Sequence, residues 1–224
     1  MFTPFKPMLA ENVPMNEIEA RMGHKPFYVE VKYDGERMLA HRNSKGEFKF
    51  FSRNMNNFTD DFGSHGHCKD KFAFHLDKAL AASKVQNVIL DGEICPYNKI
   101  TNSLTQKGEQ TDIRHLKDDH PVYQQCLYIY DILYLNGRVL TNLPMIQRVA
   151  MIREIVPKDC EGKTFFFSKV SNVYVRHQSI NKIRGICNAS SKVPFCKTLS
   201  ANSHFKGVSV VTFDEFMNKK VLQY

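Results

Sequence analysis

The sequence predicts an α+β fold from two features. Short stretches alternate apolar and polar residues between turn signals, and two further segments carry apolar residues at helical spacing. The turns are Asp34-Gly35, Asn43–Gly46 and Asn136-Gly137, residue types that suit tight reversals. The helical segments are Lys71–Ser83 and the stretch after Pro144. At 224 residues and 42% hydrophobic, the chain is sized for one substantial domain, or one domain with an appendage.

Glu11–Met22 is expected as a short helix with Met15, Ile18 and Met22 on one side. Pro26 precedes a strand in which Phe27, Val29, Val31 and Tyr33 alternate with Tyr28, Glu30 and Lys32. Side chains two apart share a strand face, so Glu30 and Lys32 point the same way, opposite the apolar set. A lysine held at the end of such a strand, just before Asp34-Gly35, is a candidate nucleophile when neighbouring cations lower its pKa. A surface lysine opening a hairpin is the plainer alternative.

Met38–His41 and Phe48–Phe51 read as strands, delivering Arg53 at their end. Arg37 and Arg53 then flank the lysine strand, and arginine forks match phosphate and ribose oxygens. Val88–Ile94 is a buried strand carrying Asp91 and Glu93 on one face. Buried carboxylates are costly unless paired with a cation or bound to a metal such as magnesium. Pro96–Asp112 reads as a polar excursion that includes Lys107, and Cys126–Leu135 as a strong strand closed by Asn136-Gly137. Within that strand Tyr130 and Asp131 fall on opposite faces. A helix starts at Asn142-Leu143-Pro144 and carries Met145, Val149, Ile152 and Val156 along one side, and Lys163–Val170 is a further strand.

The formal net charge of +8 favours polyanionic partners, nucleic acid first. No apolar run approaches the ~20 residues of a membrane span, so no membrane association is expected. The six cysteines are scattered with no CxxC pair, which points to reduced thiols. His65-Gly66-His67-Cys68 lacks a second half at zinc-site spacing and is read as a polar loop.

Lys32-Tyr33-Asp34-Gly35-Glu36-Arg37 resembles the nucleotidyltransferase motif of ATP-dependent DNA ligases. Phe51-Ser52-Arg53-Asn54, Leu90-Asp91-Gly92-Glu93-Ile94 and Tyr128-Ile129-Tyr130-Asp131 follow in that family's order. Phe5–Ala10 resembles the start of the same domain, and Asn57–Gly63 with Gln106-Lys107-Gly108 look closest to the DNA ligase IV branch. The resemblance implies an adenylation domain, a nucleotidyltransferase fold of two antiparallel sheets (ATP-grasp-like) flanked by helices, with the nucleotide between them. It implies ATP and Mg²⁺ as cofactors. Lys32 would be the catalytic nucleophile. Glu30, Val31, Lys32, Tyr33, Arg37, Arg53, Glu93, Lys107 and Tyr130 would bind nucleotide, Tyr130 by stacking on adenine, and Glu93 would also take part in metal binding. The implied partner is broken or nicked DNA in non-homologous end joining, in the nucleus. An end-joining scaffold protein is the other implied partner, though its usual binding region, C-terminal in such ligases, is expected to be absent.

The domain is expected to span residues 1–175, with 176–224 a divergent tail. The family next shows an acidic residue before Gly in a short strand, and Phe205-Lys206-Gly207-Val208 has lysine there. Lys219-Lys220 are adjacent, so they do not reproduce the family's two lysines one residue apart. An inactive fragment that binds only nucleotide, DNA or a partner is therefore a rival reading. An RNA ligase or capping guanylyltransferase, which shares Lys-x-Asp-Gly chemistry, is another.

Overall fold

The computed structural model describes residues 1–6, 21, 27–30, 35–104, 112–156, 165–167, 170–173 and 209–212. The expected helix over Glu11–Met22 lies outside this set except for Arg21. Contacts divide the chain into two units, one formed by Met1–Pro7 with Tyr33–Phe167 and the other by Met8–Lys32 with Ser168–Tyr224.

The larger unit is built on an antiparallel sheet. Its strands are β2 (Glu36–Arg42), β3 (Phe48–Ser52), β4 (Val88–Asn98), β5 (Ser103–Leu104), β6 (Tyr123–Leu135), β7 (Arg138–Val139) and β8 (Phe165–Phe167). The path through the sheet is β3-β2-β4-β6-β7, with β5 on β4 and β8 parallel to β6. Among the described residues three helices accompany it, α1 (Thr59–Phe62), α2 (Phe72–Ala81) and α3 (Met145–Ile155). The expected strands and helices lie within a few residues of these bounds. The excursion after Glu93 begins later than the sequence implied, because Pro96, Tyr97 and Asn98 continue β4 paired to Gln125, Gln124 and Tyr123. Pro144 caps α3 rather than sitting inside its first turn.

One face of the sheet carries the main core. Met38, Ala40, Phe48, Phe50, Leu90, Ile94, Leu127, Ile129 and Ile132 pack there with Leu76 and Leu80 of α2 and Ile152 and Ile155 of α3. The alternation of β2 sets Leu39 and His41 on the opposite face, where Leu39, Phe51 and Leu133 form a smaller cluster against Phe5 and Ile89. The first residues strap this face, since the Phe2 backbone N–H donates to Nδ1 of His41 at 3.2 Å. His41 is fully buried and meets Phe51 edge-on. Burial, with the charge of the amino terminus second, lowers its pKa to about 4, so it is held neutral.

Asn57–Gly63 is a structural module. Asn57 Oδ1 accepts from the Thr59 backbone N–H at 3.0 Å, and Thr59 Oγ1 accepts from the Phe50 N–H at 3.2 Å. Phe62 then packs against Phe50 and Phe72. Gly63 sits at φ 96, and a Cβ there would lie 2.8 Å from that of Lys71, so glycine is required twice over.

The smaller unit contains an antiparallel sheet in the order β10 (Ser209–Thr212), β1 (Phe27–Glu30), β9 (Val170–Val173). The strand expected over Lys163–Val170 is thus two strands, β8 and β9, belonging to different units. A segment of the tail, Ser209–Thr212, pairs with Phe27–Glu30.

Candidate active site

The larger unit brings Arg37, near the start of β2, together with Asp91 and Glu93 of β4 and Tyr130 of β6. Gly35 opens the approach to β2. A Cβ on it would lie 2.4 Å from the Ile94 carbonyl oxygen and 2.5 Å from Cys95 Sγ. Glycine is therefore demanded by crowding against β4, where the sequence pointed to a turn. The Gly35 N–H donates to Glu93 Oε1 at 3.3 Å.

Two residues on, Arg37 lies opposite Glu93 in the ladder and is only 6% exposed. Its guanidinium reaches diagonally to Asp91, with Nε 3.0 Å from Oδ1 and Nη2 2.5 Å from Oδ2. The guanidinium carbon sits 5.6 Å from the centroid of the Tyr130 ring. Arg37 is thus gripped in its plane by a carboxylate and set over an aromatic face, a geometry lysine cannot copy. Asp91, expected to need a cation or a metal, is met by Arg37.

Tyr130 is buried, and β6 is irregular around it. The register passes from Gly92↔Ile129 to Asp91↔Asp131, leaving Tyr130 as the extra residue of a bulge. A bulge re-aims side chains. Tyr130 meets Arg37, while Asp131 meets Arg148 of α3, with Nε 2.7 Å from Oδ1 and Nη2 2.9 Å from Oδ2. Arg148 Nη1 also donates to the Leu143 carbonyl, and the Ile132 N–H donates to Asp131 Oδ1 at 2.8 Å. Both partners are fully buried. Burial raises the Asp131 pKa, with Arg148 opposing it. Sequence reasoning missed this pair, although Arg148 falls in the apolar stripe of α3 with Ile152 and Ile155, and an arginine there calls for a buried acid.

Arg53 is exposed, one residue beyond the Met38–Ser52 pair, where the register would bring it beside Arg37. Ser52 shapes that turn, its Oγ accepting from the backbone N–H groups of Asn54 and Asn56 at 3.2 and 3.0 Å. Glu30 ends β1 in the smaller unit, paired in register with Val170 and Ser209. Val31, Lys32, Tyr33 and Lys107 lie outside the described residues. Among the described residues no three His, Cys, Asp or Glu side chains group to hold a metal. Both Asp91 oxygens are engaged with Arg37, so Glu93 is the one acid of this strand that fits a magnesium ion. Mg²⁺ often takes one protein carboxylate, completing its shell with phosphates and water. Among the described residues no helix is long and apolar enough to cross a membrane.

Comparison with known proteins agrees with this geometry. The family described as ATP dependent DNA ligase domain matches residues 7–186. DNA ligase 4 of Homo sapiens is 36% identical over 155 residues, 69% of this chain and 17% of that protein. DNA ligase 4 of Gallus gallus is 34% identical over 155 residues, again 69% of this chain and 17% of that protein. The solved structure Pmar-Lig_Pre superposes with a TM-score of 0.52 at 16% identity, covering 92% of this chain and 43% of that one. The fold is thus that of an adenylation domain. The chain belongs to the ATP-dependent DNA ligase family, and it spans less than a fifth of the length of the DNA ligase 4 relatives it matches.

Proposed function

We propose that this chain performs the first step of DNA ligation, forming a lysyl-AMP intermediate at Lys32. The Lys32 amine, having given up a proton, attacks the α-phosphate of ATP. An N–P bond forms, the bond from the α-phosphorus to the bridging oxygen breaks, and pyrophosphate leaves. An unperturbed lysine (pKa ~10.4) is almost wholly protonated at neutral pH, so the amine needs cationic neighbours, with Arg53 and Lys107 the candidates beside the paired Arg37. Mg²⁺, when bound, would neutralise phosphate charge, and Glu93 is the described carboxylate suited to hold it. Arg37 and Glu93 would contact the nucleotide, and Tyr130 the adenine. Asp91 would keep the Arg37 fork aligned.

The observation that carries this reading is the convergence of Gly35 and Arg37, which follow Lys32 closely in the sequence, with Glu93 and Tyr130. In the whole protein, AMP would pass to a 5′-phosphate at a DNA break, and attack by the 3′-hydroxyl would release AMP and seal the strand. By its likeness to DNA ligase 4 the setting would be non-homologous end joining, in the nucleus.

The test is incubation of the chain and its Lys32→Ala variant with Mg²⁺ and ATP labelled on the α-phosphate. Label that survives denaturing electrophoresis on the unmutated chain alone is the expected result, and label on the variant would refute the assignment. A second reading, an inactive binding fragment, is favoured by Lys206 standing where the family carries an acid. It predicts label on neither protein.

A further inference from the structure

We infer that Cys95 and Cys126 form an oxidation site, a thiol pair that a peroxide converts into a cross-strand disulfide within the central sheet. The two residues lie directly opposite one another in the β4–β6 ladder, and both are thiols in the structure. Opposed residues on antiparallel strands share a sheet face, with Cα atoms about 4.5–5.5 Å apart. A disulfide spans Cα separations of about 4.4–6.8 Å, so the backbone is already in range. Opposed Cβ atoms stand about 4.5–5.5 Å apart, whereas a disulfide holds them at about 3.5–4.5 Å. A small approach of the two strands therefore suffices to close the bond.

The two-electron balance is simple. One thiolate attacks the peroxide, the O–O bond breaks, and a sulfenic acid forms as one water leaves. The second thiolate then attacks that sulfur, the S–S bond forms, and a second water leaves. Both sulfurs are oxidised and both peroxide oxygens reduced. Access sets the rate. Cys95 is 2% exposed and Cys126 is fully buried, and burial pushes the Cys126 thiol well up. Reaction therefore waits on local opening of the β4–β6 ladder. The outcome is transmitted to the neighbouring loop, because Cys95 Sγ is one of the atoms against which Gly35 is packed.

The test is peptide mapping by mass spectrometry of the full chain after treatment with hydrogen peroxide and blocking of the remaining thiols. The expected product joins the Cys95 and Cys126 peptides, two hydrogens lighter than their sum, and it disappears on treatment with dithiothreitol and in a Cys126→Ser variant. Half-buried Cys68 serves as the internal reference. Recovery of Cys95 and Cys126 as blocked thiols while Cys68 is consumed would overturn the proposal. So would a disulfide from either residue to any other cysteine. The mapping needs no ATP, so it succeeds or fails independently of adenylylation.

Discussion

Replacing Arg148 by methionine keeps an unbranched apolar stem and removes the guanidinium with its charge. It leaves the Asp131 carboxylate buried with a single described donor, the Ile132 N–H. Three guanidinium hydrogen bonds are lost, two to Asp131 and one to the Leu143 carbonyl. Breaking one side of a fully buried pair costs about 3–5 kcal/mol. For a unit of this size that lowers the melting temperature by roughly 10–20 °C. The double variant Asp131→Leu/Arg148→Met behaves differently. Burial raises the Asp131 pKa even with Arg148 present, so desolvation outweighs attraction. The apolar pair should therefore lie within about 1–2 kcal/mol of the unmutated chain.

Urea unfolding followed by circular dichroism measures all three proteins, a suitable probe for a chain without tryptophan. The pH dependence adds a sign. A carboxyl with a raised folded-state pKa contributes its full stability below the ordinary carboxylate value and loses it as pH rises through the folded value. The deficit of Arg148→Met should thus shrink in acid and widen towards neutrality. A double variant as unstable as the single one, or a deficit independent of pH, would refute this reasoning.

Three other outcomes follow. His41, held neutral with a pKa of about 4 against an ordinary 6.5, contributes about 3 kcal/mol that is present above pH 6.5 and lost as pH falls towards 4. A His41→Phe variant should lose that part of the acid dependence, as read from urea midpoints across pH. Gly92→Ala should cost about 3 kcal/mol, because its Cβ would lie 2.5 Å from the Tyr128 carbonyl oxygen. Gly46→Ala should cost only about 1 kcal/mol, because that Cβ meets nothing and only its φ of +75 is strained; thermal melts of the pair separate crowding from backbone strain.

Much of this architecture was legible in the residues. Alternation placed β2, β3, β4 and β6, and apolar spacing placed α2 and α3, because each of these buries one side of itself against the core. The candidate site residues in these strands were legible only through the resemblance of their motifs to the ATP-dependent DNA ligases, since strand periodicity alone assigns a face and not a role. The pairings were harder to see. Nothing local tells Arg37 that its partner is Asp91, 54 residues away, because that choice is made by the neighbouring of β2 and β4. The bulge at Tyr130 was equally hidden, since an unbroken run of β-formers carries no mark of where the ladder skips. Arg148 in an apolar stripe signals a need for a buried acid, but only the packing of α3 on β6 makes Asp131 that partner.

The order of the strands also bears on how the molecule assembles. β4 and β6 meet first at Asn98 and Tyr123, the ends nearest in sequence, and can close residue by residue towards Val88 and Leu135. Each irregularity in β6 is a point where that zipping must pause and skip a residue. β2 joins β4 only across the whole of α1 and α2. Loop-closure entropy disfavours such distant contacts until nearer ones support them. The Arg37–Asp91 clasp belongs to this late class, so on refolding the bulk of the sheet should be in place before the corner around Arg37 and Tyr130 takes shape.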